Sequence, residues 1–125
     1  MSKHVNMNEL AKEIHENAVA HGWWEEERSF DDIVALCRYE LSEALEEYRS
    51  GRPKEYVDDI ETVQRITDPD LFAGRKPEGV AVEMADCLFR LLDWFGKEGL
   101  DVDRIIREKM EYNKSRPYRH GGKKL

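Results

Sequence analysis

The sequence predicts an all-α protein of one domain, and three observations carry that prediction. Apolar residues recur at three- and four-residue spacing in each of four segments. Helix-capping residues and Gly or Pro stops flank those segments at the right offsets. No stretch alternates apolar and polar residues as a half-buried strand does, and no internal repeat or sustained heptad points elsewhere. With 125 residues and 40% hydrophobic content, residues 1–125 can bury one core and not two.

The first helix is expected over about residues 7–21, where Met7, Leu10, Ala11, Ile14 and Ala18 share a face. Asn6 or Asn8 supplies its cap, and Gly22 follows its end. A polar link containing Trp23 and Trp24 comes next. Ser29, with Asp32 three residues on, makes a short-armed capping box for a second helix from Phe30 to Arg49, which stops at Ser50-Gly51-Arg52-Pro53. Residues 51–78, with Pro53, Pro69, Gly74 and Pro77, read as an irregular insertion or flap in which Tyr56 to Ile66 is periodic enough for a short helix. A third helix runs from Gly79 to Gly99. Asp101 then caps a fourth through about Lys114, which Arg116-Pro117 ends, leaving residues 117–125 as a basic, extended tail.

The third helix carries Val80, Val82, Met84, Ala85, Cys87, Leu88, Phe89, Leu91, Leu92, Trp94 and Phe95, far more than a one-sided stripe. A helix apolar nearly all round must be buried nearly all round. The expectation is therefore a four-helix-type bundle completed by homo-oligomerisation, as a dimer or a tetramer.

Charge sets further bounds. The net charge of −7 argues against a general nucleic-acid binder. It is also unevenly spread: Arg104 to Leu125 holds eight Lys/Arg against two acids, and the rest of the chain holds 12 basic against 25 acidic residues. Mean hydropathy is −0.77 and no apolar run approaches the roughly 20 residues of a membrane span, so no membrane partner is expected. Met1 to Asn6 lacks the apolar region of a secretory signal, and a cytoplasmic location is the expectation. Cys37 and Cys87 sit within apolar helical patterns and read as buried free thiols without a redox role.

Acidic residues interrupt the core faces. On a wheel of the second helix, Ile33, Cys37, Leu41, Ala44 and Tyr48 form the core face with Leu36 on its flank, while Glu40, Glu43 and Glu47 line the edge and Glu46 points outward. On the third, Glu83 falls beside Cys87 and Trp94, with Arg90 and then Asp86 beyond it. On the last, Lys109 and Asn113 share the stripe of Val102 and Ile106. Carboxylates are costly to desolvate alone, so a group of them at a bundle interior binds a cation, pairs with Lys/Arg or shares a proton. Glu40-x-x-Glu43 and Glu83-x-x-Asp86 on facing helices converge hard oxygen ligands suited to Mg²⁺, with Mn²⁺ as a substitute. A solvated acidic face is the bland alternative.

Other chemistries lack their residues. A di-iron bundle needs Glu-x-x-His pairs, and none of His4, His15, His21 and His120 has a Glu three positions before it. No P-loop, nucleophile elbow, CxxC or glycine-rich dinucleotide signature is present.

The two acidic pairs, the segment from Lys76 to Asp86 beginning Lys-Pro-Glu-Gly, and the run from Lys109 to Lys123 containing Asn-Lys-Ser-Arg-Pro-Tyr-Arg-His-Gly-Gly-Lys resemble the MazG-like members of the all-α nucleoside triphosphate pyrophosphohydrolases. The likeness spans about residues 30–50 and 76–123, and this chain has a longer stretch between the acidic pairs than compact members do. The resemblance implies Mg²⁺-dependent cleavage of a nucleoside triphosphate between the α and β phosphates, with Glu40, Glu43, Glu83 and Asp86 holding the metal. It also implies that Lys109 and Asn113 contact phosphate or sugar.

Within that reading Glu43, or Glu47 behind it, is the expected proton acceptor, and Lys109, Arg116 and Arg119 would offset charge on the leaving pyrophosphate. Either one of Trp23 and Trp24 stacks on a base while the other packs, or both pack. His21 reads as a helix-end cap, His120 as a weak phosphate contact, and Arg90 as a partner of Glu83 or Asp86. Two alternatives stand beside this: a non-catalytic helical binding or scaffold protein whose acids are structural, and a phosphoribosyl-ATP pyrophosphohydrolase, which shares the paired acids.

Overall fold

In the computed structural model, which describes residues 6–57 and 76–117, the element order is α1 (Met7–Ala20), α2 (Phe30–Arg49), β1 (Tyr56–Val57), β2 (Pro77–Glu78), α3 (Val80–Glu98) and α4 (Val102–Ser115). The protein is predominantly helical, as the sequence predicts. Residues 58–75 and 118–125, which include most of the expected flap helix, the tail, Arg119 and His120, lie outside the described residues.

Helix ends fall where the capping chemistry puts them. The Asn6 side chain accepts from the backbone N–H of Asn8 and Glu9, and the Ser29–Asp32 capping box closes in both directions. Gly99 ends α3 in the left-handed conformation, and Asp101 accepts from the Arg104 N–H to start α4. Asn8, the other candidate cap of α1, serves α4 instead: its Oδ1 accepts from Val102 N at 2.7 Å and its Nδ2 donates to Asp101 Oδ1 at 2.9 Å. One short side chain thus ties the first and last helices together.

α3 is the shared partner, packed against both α1 and α2. Ala11, Leu92 and Val102 are buried at the junction of α1, α3 and α4, with Met7, Leu10, Ile14 and Phe95 around them. α1 and α3 approach closely because Gly96 has no side chain: a Cβ there would stand 2.6 Å from the Ala11 carbonyl oxygen.

Three expectations are corrected. First, Tyr56–Val57 is a strand and not the start of a helix, pairing antiparallel with Pro77–Glu78, so the ends of the insertion are joined. Val57 is fully buried, and Gly79, at φ 114°, lies so close to Lys54 that a Cβ would meet its carbonyl oxygen at 2.3 Å. A two-residue ladder has no periodicity for a sequence to display.

Second, α2 turns Ile33, Glu40 and Ala44 inward, whereas Leu41 is exposed and Tyr48 is 71% exposed. An acid can take the inward place because α3 supplies it with a guanidinium partner. A single chain leaves Met84, Leu88, Phe89 and Leu91 of α3 exposed. Third, α4 does not direct Lys109 and Asn113 into a core: Val102 is its buried residue, and Ile106, Lys109 and Asn113 are all exposed. Among the described residues no helix is long and apolar enough to cross a membrane.

Candidate metal centre and its cleft

Glu40 on α2 and Glu83 and Asp86 on α3 converge, each offering one carboxylate oxygen, with those atoms all within 4.8 Å of one another. Helical geometry explains the pairing. Residues three apart share a face, so Glu83 and Asp86 both meet α2 where Glu40 turns inward. Glu40 is only 7% exposed.

Crowding acids together has an electrostatic consequence. Burial first, then the charges of Asp86 and Glu40, push the Glu83 carboxyl up to about 7, with a hydrogen bond to Asp86 and the charge of Glu43 adding to the rise. A divalent cation would reverse that repulsion, and the donor set is all hard oxygen. The residues present therefore fit Mg²⁺ or Mn²⁺.

Arg90, one turn beyond Asp86, pairs with Glu40 and not with the acids of its own helix: Nε and Nη2 both reach Glu40 Oε1, at 3.4 and 3.3 Å. Its guanidinium carbon also lies 4.1 Å from the centroid of the Trp23 ring, which Arg28 approaches at 4.9 Å. The Arg28 Nε donates to the Trp23 carbonyl at 2.7 Å, fixing the link between α1 and α2.

Glu40, Asp86, Arg90, Trp23, His21 and Phe89 line a cleft of about 400 Å³ between α1, α2 and α3. Its size suits a small organic ligand. His21 Nδ1 bonds to the Asn17 carbonyl at 2.8 Å, the helix-end role expected of it. The two tryptophans divide, with Trp23 at the cleft and Trp24 tied inward.

Asp93 does the tying and is the residue that sequence reasoning missed. This buried carboxylate accepts the Trp24 Nε1–H at 3.0 and 3.1 Å and bonds His15 Nδ1 at 2.7 Å, while the His15 and Trp24 rings meet edge to face at 5.6 Å. Asp93 thereby fastens the segment carrying Trp23 to the helix carrying Glu83 and Asp86. The available signal was an acid set between Leu92 and Trp94 in an otherwise apolar run.

Other candidates lie apart from the three converging acids. Glu43 stands outside the group, near enough for its charge to act on Glu83, and its hydrogen bond to Tyr39 holds that phenol above its ordinary pKa. Glu47 accepts from the Tyr56 hydroxyl at 2.6 Å, with Arg52 at 4.0 Å, so it braces β1; its Oε2 is buried without a hydrogen-bond partner. Lys109 and Arg116 flank the Tyr112 ring on α4 at 4.9 and 5.5 Å, and neither they nor Asn113 line the cleft. Cys37 and Cys87 are free thiols, Cys87 buried and Cys37 half-buried, and burial together with the neighbouring Cys87 raises the Cys37 pKa.

Comparison with protein-family models, with curated proteins and with solved structures finds no match to this chain.

Proposed function

We propose that the protein is a metal-dependent nucleotide pyrophosphohydrolase that cleaves a nucleoside triphosphate between its α and β phosphates. The observation that carries this reading is the convergence of Glu40, Glu83 and Asp86, two of which, Glu40 and Asp86, line a cleft that also presents an aromatic ring. Acids alone would suit a solvated surface; acids beside a pocket of ligand size suit a bound polyphosphate with a cation. The likeness of the two acidic pairs, the Lys76–Asp86 segment and the Lys109–Lys123 run to MazG-like enzymes supports the same conclusion.

In this mechanism Glu40, Glu83 and Asp86 would hold Mg²⁺, or Mn²⁺ in its place. When bound, the ion supplies Lewis acidity toward phosphate oxygens and acidifies water. Trp23 and Phe89 take the base on the apolar side of the cleft. Glu43 does not line the cleft, but its charge reaches Glu83, and from the edge of the acidic group it would accept the proton as water adds to phosphorus and the P–O bond to the departing pyrophosphate breaks.

The enzyme works as a homo-oligomer. Leu41, Leu45 and Tyr48 on α2 and Met84, Leu88 and Leu91 on α3 are exposed large apolar side chains that a second copy would cover. Sedimentation as a monomer at micromolar concentration would remove this part of the proposal.

The test is pyrophosphate release from a panel of ribo- and deoxyribonucleoside triphosphates with and without Mg²⁺. Metal-dependent release by the wild type, lost in Glu40→Gln and Asp86→Asn with the helical content intact, is expected. The scaffold reading draws on the acids that already have protein partners, Glu40 with Arg90 and Glu47 with Tyr56. A thermal midpoint insensitive to Mg²⁺ and nucleotide would favour it.

A further inference from the structure

The sequence pattern supplies phosphate-binding cations from α4 and the tail, yet Lys109 and Arg116 do not line the cleft. Among the described residues, the guanidinium that does line it is that of Arg90. From this the geometry points to Arg90 as the residue that binds the phosphates of the substrate, parked on Glu40 until cation and anion arrive together. The inference rests on the triphosphate reading of the cleft and adds to it a residue and a sequence of exchange.

Three features of Arg90 support it. Its contacts with Glu40 are long, 3.4 and 3.3 Å, and both fall on the same oxygen, Oε1. A strong guanidinium–carboxylate pair is shorter, about 2.7–2.9 Å, and uses two parallel bonds to two oxygens. The fork is therefore held without being matched. Second, the side chain is 23% exposed and opens on the cleft, so an anion can reach it. Third, the Trp23 ring, 4.1 Å from the guanidinium carbon, holds the group by a cation–π contact, which lowers the entropy cost of presenting it to a ligand.

Charge accounting gives the exchange its direction. A cation bound by Glu40, Glu83 and Asp86 competes with Arg90 for the Glu40 carboxylate. Once Glu40 is neutralised from that side, the guanidinium loses its partner within a partly buried cleft and gains one if a phosphate is present. Cation and polyphosphate binding then reinforce each other, because each removes a cost that the other would meet alone. Trp23, sharing Arg90, senses the exchange.

The experiment is calorimetric titration of the full chain with Mg²⁺ alone and with inorganic pyrophosphate at saturating Mg²⁺, for wild type, Arg90→Gln and Arg90→Lys, with helical content followed by circular dichroism. Arg90→Gln is expected to weaken pyrophosphate binding by about tenfold or more. The same variant is expected to bind Mg²⁺ at least as tightly as the wild type, since Glu40 has lost its competing partner. Arg90→Lys, which keeps the charge and loses the fork, should fall between them and serves as the measurement if the glutamine variant does not fold.

Unchanged pyrophosphate affinity in Arg90→Gln overturns the inference. So does a parallel loss of Mg²⁺ and pyrophosphate in a folded variant, because that marks Arg90 as a brace for Glu40 only. A folded wild type that binds neither Mg²⁺ nor pyrophosphate removes the metal-centre reading itself, and the two failures are thus distinct.

Discussion

Replacing Glu83 by Gln should stabilise the protein at pH 8 and leave it nearly unchanged at pH 5. The Glu83 carboxyl is raised from an ordinary 4.5 to about 7 by burial and by the charges of Asp86 and Glu40. The folded state therefore holds a proton that the unfolded chain releases between those values. The stability this proton contributes is complete below about pH 4.5 and is lost as pH rises through about 7. At about 1.4 kcal/mol per pH unit the ceiling is roughly 3 kcal/mol, and solvent screening of a partly exposed group lowers it to about 1–2 kcal/mol. For a chain of this length that is about 3–8 °C in thermal midpoint. The assay is thermal denaturation by circular dichroism at pH 5 and pH 8 without divalent ions. Adding Mg²⁺ at pH 8 should then raise the wild-type midpoint more than that of Glu83→Gln, because the ion binds the ionised acid. Equal effects of the substitution at both pH values, or destabilisation at pH 8, would refute the account of crowded acids.

Other consequences follow from the packing. Gly96→Ala puts a Cβ against the Ala11 carbonyl at 2.6 Å and His15 Cβ at 2.8 Å, so α1 and α3 must separate; a loss of about 1–3 kcal/mol in urea denaturation is expected. Asp93→Ala leaves the Trp24 indole N–H and the His15 ring without their acceptor, and should cost about 2–4 kcal/mol while shifting tryptophan fluorescence. Glu40→Ala leaves the Arg90 guanidinium half-buried and unpaired, and should cost about 2–3 kcal/mol and abolish any Mg²⁺-dependent rise in thermal midpoint. Tyr56→Phe removes the hydroxyl on Glu47 Oε1 from a carboxylate whose other oxygen already lacks a partner, and should cost about 1–2 kcal/mol by the same urea assay.

Elements whose signals are local were readable from sequence. Asn6, the Ser29–Asp32 box, Gly99 and Asp101 each act within one helical turn, and the helix ends follow them closely. What depends on partners across the fold was not. The wheel of α2 gave Leu41 and Tyr48 to the core because they are apolar, but orientation follows what α3 offers, and α3 offers Arg90 to Glu40. The same limit hid Asp93: its partners His15 and Trp24 lie 78 and 69 residues away, and no spacing links them. At the candidate centre, Glu40, Glu83 and Asp86 were legible as paired acids, and their convergence bears out the facing of α2 and α3. Glu43 sits one turn along from Glu40 yet outside the group, and Lys109 and Asn113 lie on an exposed face of α4. A stripe on a wheel identifies neighbours along a helix and says nothing of how closely the next helix approaches.

The most direct test of the central claim is phosphorus NMR of the products after the wild-type protein is incubated with a nucleoside triphosphate and Mg²⁺, beside a variant carrying Glu40→Gln, Glu83→Gln and Asp86→Asn. Nucleoside monophosphate and pyrophosphate in equal amounts are expected from the wild type, and intact substrate from the folded variant. Orthophosphate with nucleoside diphosphate, or equal turnover by both proteins, would contradict the claim.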